Sequence, residues 1–434
     1  MTSIENSADS EALLPVSDAK EQNCEPRNGV VQTALLVIAN CAGAGLLSTP
    51  KAVNQAGLAG GIVLILFAAT LSAYTADILG RCYAIIERQR MQPNGAGGEA
   101  GGTSDKSCSH NHQAAFFARS PYASVAQHAA GRAGAIAVTA AQVTTQFSVM
   151  VLFFLISGVN LHKLCSSHTS LFFSLVCCVS LAPLMLLRPG HVWGTAVFAI
   201  LASVILVVVV IVLCATGAKH DPYIPPPTVT FSSLGSAFGV ILFGFGGHAI
   251  LPALQAAMHN PTPARFRQSI GWSFGLCTAM YLGTAVSSVL TLGGAVSGDV
   301  LTNFSGNVND FGLIAVTTHL LFAAVTVHIP LGQIVDHYAG VVSDFSARQV
   351  ALRAATMALV AAVIWIVGDR FYCVIGLVGG TCNNAMIFIF PPWFYYCLTP
   401  ASERSKTLLI CMGSIVFVGT AGMVSALIGA ADTC

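Results

Sequence analysis

The chain has 434 residues, 55% of them hydrophobic and only 9% charged, with a mean hydropathy of +0.74. A soluble domain carries roughly 25% charged residues, so the composition excludes an ordinary water-soluble fold and marks an integral membrane protein. A formal net charge of +1 gives no electrostatic case for nucleic acid or for steering a polyanion.

Residues 1–29 are polar and acidic, lack a secretory signal peptide, and are expected to form a disordered cytosolic tail. Within them Asp9, Leu13 and Leu14 fit an acidic dileucine sorting signal, where an adaptor would bind. The first span contains Leu36–Val53. It starts as an apolar helix, runs into Cys41-Ala42-Gly43-Ala44-Gly45, and resumes before Ser48, Thr49 and Pro50. Small residues let a membrane helix unwind at mid-depth, where freed N–H and C=O groups need a ligand, ion or water. The second span runs from Leu58 to about Arg81, with Asp77 near its cytosolic end. Residues 91–113 are Gly-, Ser- and His-rich and read as a flexible cytosolic loop; Cys108, His110 and His112 lack a fourth ligand, so no metal site is expected. Ser120–Gly131 reads as a short surface helix leading into the third span.

Further spans are expected at 135–161, 169–187, 193–217, 231–258, 268–293, 311–335, 350–368, 371–397 and 406–430, which makes eleven transmembrane helices in an all-α chain from residue 30 to 434. The sixth is broken like the first: Gly244-Phe245-Gly246-Gly247-His248 leads to Pro252, five residues after Gly247, as Pro50 lies five after Gly45. If the broken spans open two inverted halves, these are spans one to five and six to ten. With the N-terminus cytosolic, fifteen Lys and Arg fall on the cytosolic side and three on the other, with Lys51 in the first span or at its far end. The sequon Asn303-Phe304-Ser305 lies in a non-cytosolic loop. The fourteen cysteines show no secreted disulfide framework and read as small core residues.

Gly45-Leu46-Leu47-Ser48-Thr49-Pro50, Tyr74-Thr75, Ser120-Pro121-Tyr122 with Gly131, and Gly247-His248-Ala249-Ile250-Leu251-Pro252 resemble the amino acid/auxin permease family, in particular its vacuolar amino-acid and vesicular inhibitory amino-acid transporters. The resemblance runs from about residue 30 to 430. It implies the LeuT-type five-plus-five inverted-repeat fold, alternating access, and proton-coupled movement of amino acids, with no cofactor. Lys51 departs from the family, where many members place an aromatic residue after the proline, so the substrate does not carry over.

For an amino-acid substrate, the N–H groups of Ala42, Gly43, Ala44 and Gly45 at the start of a half-helix suit the carboxylate. Carbonyls around Gly244, Phe245, Gly246 and Gly247 suit the ammonium. The alternative for these glycines is close helix packing. Phe245 would act either as a gate or in ordinary packing. Span three, with Gln142, Thr144, Thr145, Gln146 and Ser148, offers a polar wall. His248, His319 and His328 are the deep titratable groups for a coupled proton, His248 foremost; each has the alternative of a neutral, hydrogen-bonded core role. Asp77 would pair with Arg81 or gate, and Lys51 would snorkel or line the outer vestibule. Sodium, held by Thr317, Thr318 or Thr326, is the second option for the ion. The favoured function is a proton-coupled carrier of small neutral amino acids in a vesicular or vacuolar membrane. The alternative is an amino-acid sensor signalling through its cytosolic segments. No HExxH, GxSxG or Walker-type motif supports an enzyme or an ATP-driven pump.

Overall fold

The computed structural model describes residues 28–91, 120–186, 193–216, 224–341, 345–368 and 370–433. Asp9, Leu13 and Leu14, nearly all of the expected tail and the whole 92–113 part of the expected loop lie outside the described residues. The fold is all-helical. In chain order come α1 (Val30–Cys41), α2 (Ala44–Ala56), α3 (Leu58–Met91), α4 (Pro121–Leu164), α5 (Ser170–Leu181), α6 (Trp193–Thr216), α7 (Phe231–Gly244), α8 (Leu251–Ala256), α9 (Pro263–Leu292), α10 (Asn307–Tyr338), α11 (Ala347–Val367), α12 (Phe371–Val378), α13 (Phe390–Leu398) and α14 (Lys406–Thr433).

Among the described residues nine helices are long and apolar enough to span a bilayer, and α1 with α2, bent by 58°, makes ten. The expected fourth span is the shorter apolar helix Ser170–Leu186, which falls below the roughly 20 residues that cross the hydrocarbon core. Burial separates centre from rim. The most apolar window of Phe231–Ala256 is 78% buried, against 22% for Ala347–Val367 and for Lys406–Asp432. The broken span α7–α8 is therefore the axis of the bundle, and α11 and α14 lie outside it. Large side chains exposed on the flanks, among them Phe198, Leu201, Trp365 and Ile366, form the apolar surface that lipid covers.

Sequence chemistry explains the helix ends. Thr169, Thr262 and Ser346 accept hydrogen bonds from the N–H groups of Phe172, Arg265 and Gln349 as N-caps. Pro121 and Pro263 occupy first-turn positions where no N–H is needed. The expected surface helix is the first part of α4. It ends at Gly131, whose φ of +65° turns the chain into the long span. Span ten is not one regular helix: Gly379–Asn383 and Ala385–Ile389 are π-helical. The wide turns begin where α12 crosses α7 too closely for side chains; a Cβ on Gly379 would stand 2.0 Å from the Gly239 carbonyl oxygen. Most described cysteines are free and several are packed in the core, but Cys373 is disulfide-bonded, unlike the reading of all cysteines as simple core residues.

Two charged clusters tie helix ends together. Asp77 pairs with Arg81 on its own helix (2.7 Å) and with Arg267 of α9 (3.0 Å). Asp336 of α10 pairs with Arg353 of α11 at 2.5 Å and accepts from Gln349 at 3.0 Å. Gly332 makes room for that guanidinium, which a Cβ would overlap. Removing one member of a buried pair strands the other charge, so Asp336→Ala is expected to cost about 3 kcal/mol. Thermal unfolding in detergent should show the loss, and the apolar double variant Asp336→Leu/Arg353→Met should recover most of it.

The loop between α9 and α10 is held from below. The Lys163 ammonium donates to the carbonyls of Leu301 (2.9 Å), Thr302 (2.8 Å) and Phe304 (2.5 Å). Asn303 accepts from the Ser297 N–H and donates to the Ala295 carbonyl, so the sequon amide is already engaged in the loop. Asp299 is buried, with one oxygen accepting from the Leu301 N–H and the other without a partner. Burial pushes its carboxyl from 3.8 up to about 6, against the opposing pull of that N–H and of Lys163. The packed loop thus holds the protonated form: the stabilisation is complete below the unfolded value and is lost as pH rises through about 6. Amide hydrogen exchange of residues 297–304, corrected for intrinsic rates, should be slower in mildly acidic than in neutral buffer, and Asp299→Asn should erase the difference.

Candidate functional site between the two helix breaks

The first break consists of two residues. Ala42 (φ −80°, ψ 48°) and Gly43 (φ −107°, ψ −122°) leave the helix after Cys41, and α2 restarts at Ala44. The Ala42 N–H still reaches Ile38, and the Leu46 N–H bonds to Gly43, but the N–H groups of Ala44 and Gly45 have no backbone acceptor among the described residues. These are the open donors of a helix N-terminus, where the dipole favours negative charge.

The second break is filled differently. α7 ends at Gly244; Phe245 and Gly246 form a turn, a 3-10 turn follows at Gly247–Ala249, and α8 starts at Leu251. The carbonyls near its end are largely claimed. The Gly246 N–H bonds to Phe243, the Asn383 amide donates to Leu242 at 2.9 Å, and the Tyr281 hydroxyl lies 2.8 Å from the Gly244 oxygen. The same hydroxyl lies 2.7 Å from the Cys41 oxygen. One phenolic proton therefore serves the carbonyl ends of both broken helices. Gly45 and Gly244 touch directly, since a Cβ on Gly45 would be 2.8 Å from the Gly244 Cα. At these two positions glycine permits close packing.

A small cavity lies beside this crossing. Asn40, Cys41, Gly43 and Ala44 line it from the first break, Thr145, Gln146, Val149 and Phe153 from α4, Phe243 and Gly246 from the second break, and Asn383 from the π-helical segment. Among the described residues no charged side chain lines it. Three lining side chains keep a buried polar atom without a partner: Thr145 Oγ1, Gln146 Nε2 and Asn383 Oδ1. Buried polar atoms are normally paired, so these are the atoms a polar occupant would satisfy.

Of the residues singled out in the sequence, Gly43, Ala44, Gly246, Thr145 and Gln146 meet at this cavity. Ala42 borders it less directly, with its carbonyl taken by Ser203 Oγ at 2.7 Å. Gly247 packs against Cys41, whose Sγ would stand 3.1 Å from an added Cβ. Thr144 does not belong to the site: it is exposed, one residue and so about 100° round the helix from Thr145. Phe245 is fully buried, stacked on Phe274 at 5.9 Å and edge-on to Tyr281, so it packs behind the break, and the aromatic rings on the cavity are Phe153 and Phe243. His248 turns toward α3 and α9, with Nε2 3.1 Å from Thr75 Oγ1 and its ring edge-on to Phe274. Asp77 sits in its ion-pair cluster, and Lys51 is half-buried on α2; neither lines the cavity. Thr318 is exposed and Thr326 half-buried, and both bond within their own helix, while Thr317 is buried with a free hydroxyl.

Asn40 and Asn383 are the polar lining residues not singled out in the sequence. Their amides inside apolar spans are the signal, since polar side chains there face the protein interior. His319 has the other notable position. Its Nδ1 lies 2.7 Å from the Ala199 carbonyl and 3.2 Å from Ser203 Oγ, while Nε2 has no partner and faces Gly43.

Residues 26–431 match the family model described as "Transmembrane amino acid transporter protein". Similar relatives in Arabidopsis thaliana include the amino acid transporter AVT6E, 21% identical over 97% of this chain and 88% of that protein. AVT1B is 23% identical over 89% of this chain and 67% of its own length. The match to AVT1D, at 22% identity, spans 43% of this chain and only 34% of that protein. Among solved structures, MhsT in complex with L-phenylalanine superposes with a TM-score of 0.53 at 14% identity, covering 92% of this chain and 98% of its own. A manganese transporter of Eremococcus coleocola gives 0.50 at 11% identity, with 98% of each chain covered. Both likenesses concern the fold, which is that of LeuT-type transporters, with the first and sixth spans interrupted. With a family model covering nearly the whole described chain and interrupted helices where that fold has them, this multi-pass membrane protein belongs to the amino acid/auxin permease family of transmembrane amino acid transporters.

Proposed function

We propose that the protein is a secondary transporter of small neutral amino acids, driven by protons, in a vesicular or vacuolar membrane. The observation that carries the reading is the uncharged cavity between two helix breaks, with open backbone donors on one wall and unpartnered amide and hydroxyl atoms on the others. A zwitterion matches it. The carboxylate lies at the N–H groups of Ala44 and Gly45, assisted by Gln146 Nε2, and the ammonium donates to Asn383 Oδ1 and Thr145 Oγ1. No fixed charge stands ready to balance a charged side chain, and Val149, Phe153 and Phe243 favour a small apolar one. The breaks provide the hinges for alternating access. The acidic dileucine pattern at Asp9, Leu13 and Leu14 supports an internal membrane, and the excess of Lys and Arg in the expected cytosolic segments supports a cytosolic N-terminus.

The test is uptake of a panel of labelled amino acids by purified protein in liposomes, under an imposed pH gradient, with and without sodium. Uptake of alanine-sized substrates that a protonophore abolishes and sodium does not alter is the expected result. Binding without gradient-driven flux would replace the carrier with a sensor, and dependence on sodium would replace the ion. Each lining amide is expected to contribute about one hydrogen bond, so Gln146→Ala and Asn383→Ala should each raise KM by about tenfold. Thr144→Ala should leave it unchanged.

A further inference from the structure

We propose that His319 of α10, and not His248, binds the driving proton, and that it senses the substrate carboxylate across Gly43. The inference rests on the proton-coupled reading above and adds its residue and its linkage. Nδ1 stands 2.7 Å from the Ala199 carbonyl, which can only accept, so Nδ1 carries a hydrogen and Nε2 is left with a lone pair. That lone pair is fully buried and has no partner. It points at the backbone of the first break: a Cβ on Gly43 would lie 3.1 Å from Nε2 and 3.4 Å from Phe153. Because residue 43 is glycine, only its backbone separates the imidazole from the cavity that Gly43 and Phe153 line.

The linkage follows from charge. A proton taken from water on one side of the membrane adds to Nε2, the Nδ1–H bond to Ala199 stays in place, and the same proton leaves to water on the other side. No other bond changes. The groups the structure places against the ring are Gly43 of the break and Ala199 and Ser203 of α6, and no charged side chain of the described residues acts on it. An imidazolium there lacks a counter-ion until a carboxylate arrives at the N–H groups of Ala44 and Gly45. In surroundings of low dielectric two opposite charges so placed favour one another strongly, and by reciprocity the proton tightens substrate binding as much as substrate tightens proton binding. Ser203 joins the ring to the moving backbone: it accepts from Nδ1 and donates to the Ala42 carbonyl. His248 has no such relation. Its Nδ1 also lacks a partner, but its Nε2 is held by Thr75 and its ring lies against Phe274, away from Gly43. His328 is beside the Arg353–Asp336 cluster.

The experiment uses the full chain in liposomes, with labelled L-alanine as the probe and two readouts: accumulation driven by a pH gradient, and exchange of labelled for unlabelled substrate at equal pH. For His319→Gln we expect accumulation to fall by about tenfold or more while exchange persists at a reduced rate and loses its pH dependence. His248→Gln should still accumulate. Accumulation by His319→Gln equal to wild type overturns the assignment and leaves the carrier reading standing. Wild-type vesicles that ignore the gradient overturn the proton-coupled reading, and the assignment with it. Should His319→Gln be recovered without exchange activity, Ser203→Ala decides. Losing one acceptor for the Nδ1 hydrogen should move the pH of half-maximal exchange toward acid by roughly half a unit, and an unmoved midpoint overturns the assignment.

Discussion

A backbone interrupted inside a bilayer must have its released carbonyls met from within the protein, and here one phenol does so for two helices. Tyr281 stands between the Cys41 and Gly244 carbonyls with a single proton to offer. Each break is acceptable at that depth because the other lies beside it, with Gly45 and Gly244 in direct backbone contact. The cavity is a by-product of this crossing: helices that stop at the same level leave a space where their next turns would have been.

The two breaks do not have equal roles. At the first, Ala44 and Gly45 keep free N–H groups. At the second, Asn383, Tyr281 and the turn itself occupy the carbonyls that a symmetrical design would offer to the ammonium. The positive end of the substrate therefore meets side-chain oxygens, which can be altered by substitution without disturbing a main chain. On the proposed reading, that division would place recognition of the carboxylate on backbone and Gln146 and leave the ammonium to Thr145 and Asn383.

The helix breaks were legible because small residues followed by proline have few other uses in an apolar span, and the Gly131 turn was legible for the same local reason. Direction was not. Thr144 and Thr145 look alike in sequence, and only the phase of α4, set by its neighbours, sends one to the cavity and the other to the rim. Depth in a span also could not rank the histidines, since His319 and His248 each keep one open nitrogen and what separates them is that the one on His319 faces Gly43. The π-helical stretch of span ten stayed hidden because it begins at the close approach of Gly379 to Gly239, more than a hundred residues away.

One further contact concerns the ends of the broken spans. Just before α1, the Asn28 N–H bonds to the Ala257 carbonyl, and the His259 N–H bonds to the Asn28 carbonyl, each at 2.9 Å. This short ladder staples the entry of the first broken helix to the exit of the second. The staple couples the two half-helices mechanically: a displacement at the entry of α1 is carried to α8 through these two main-chain bonds.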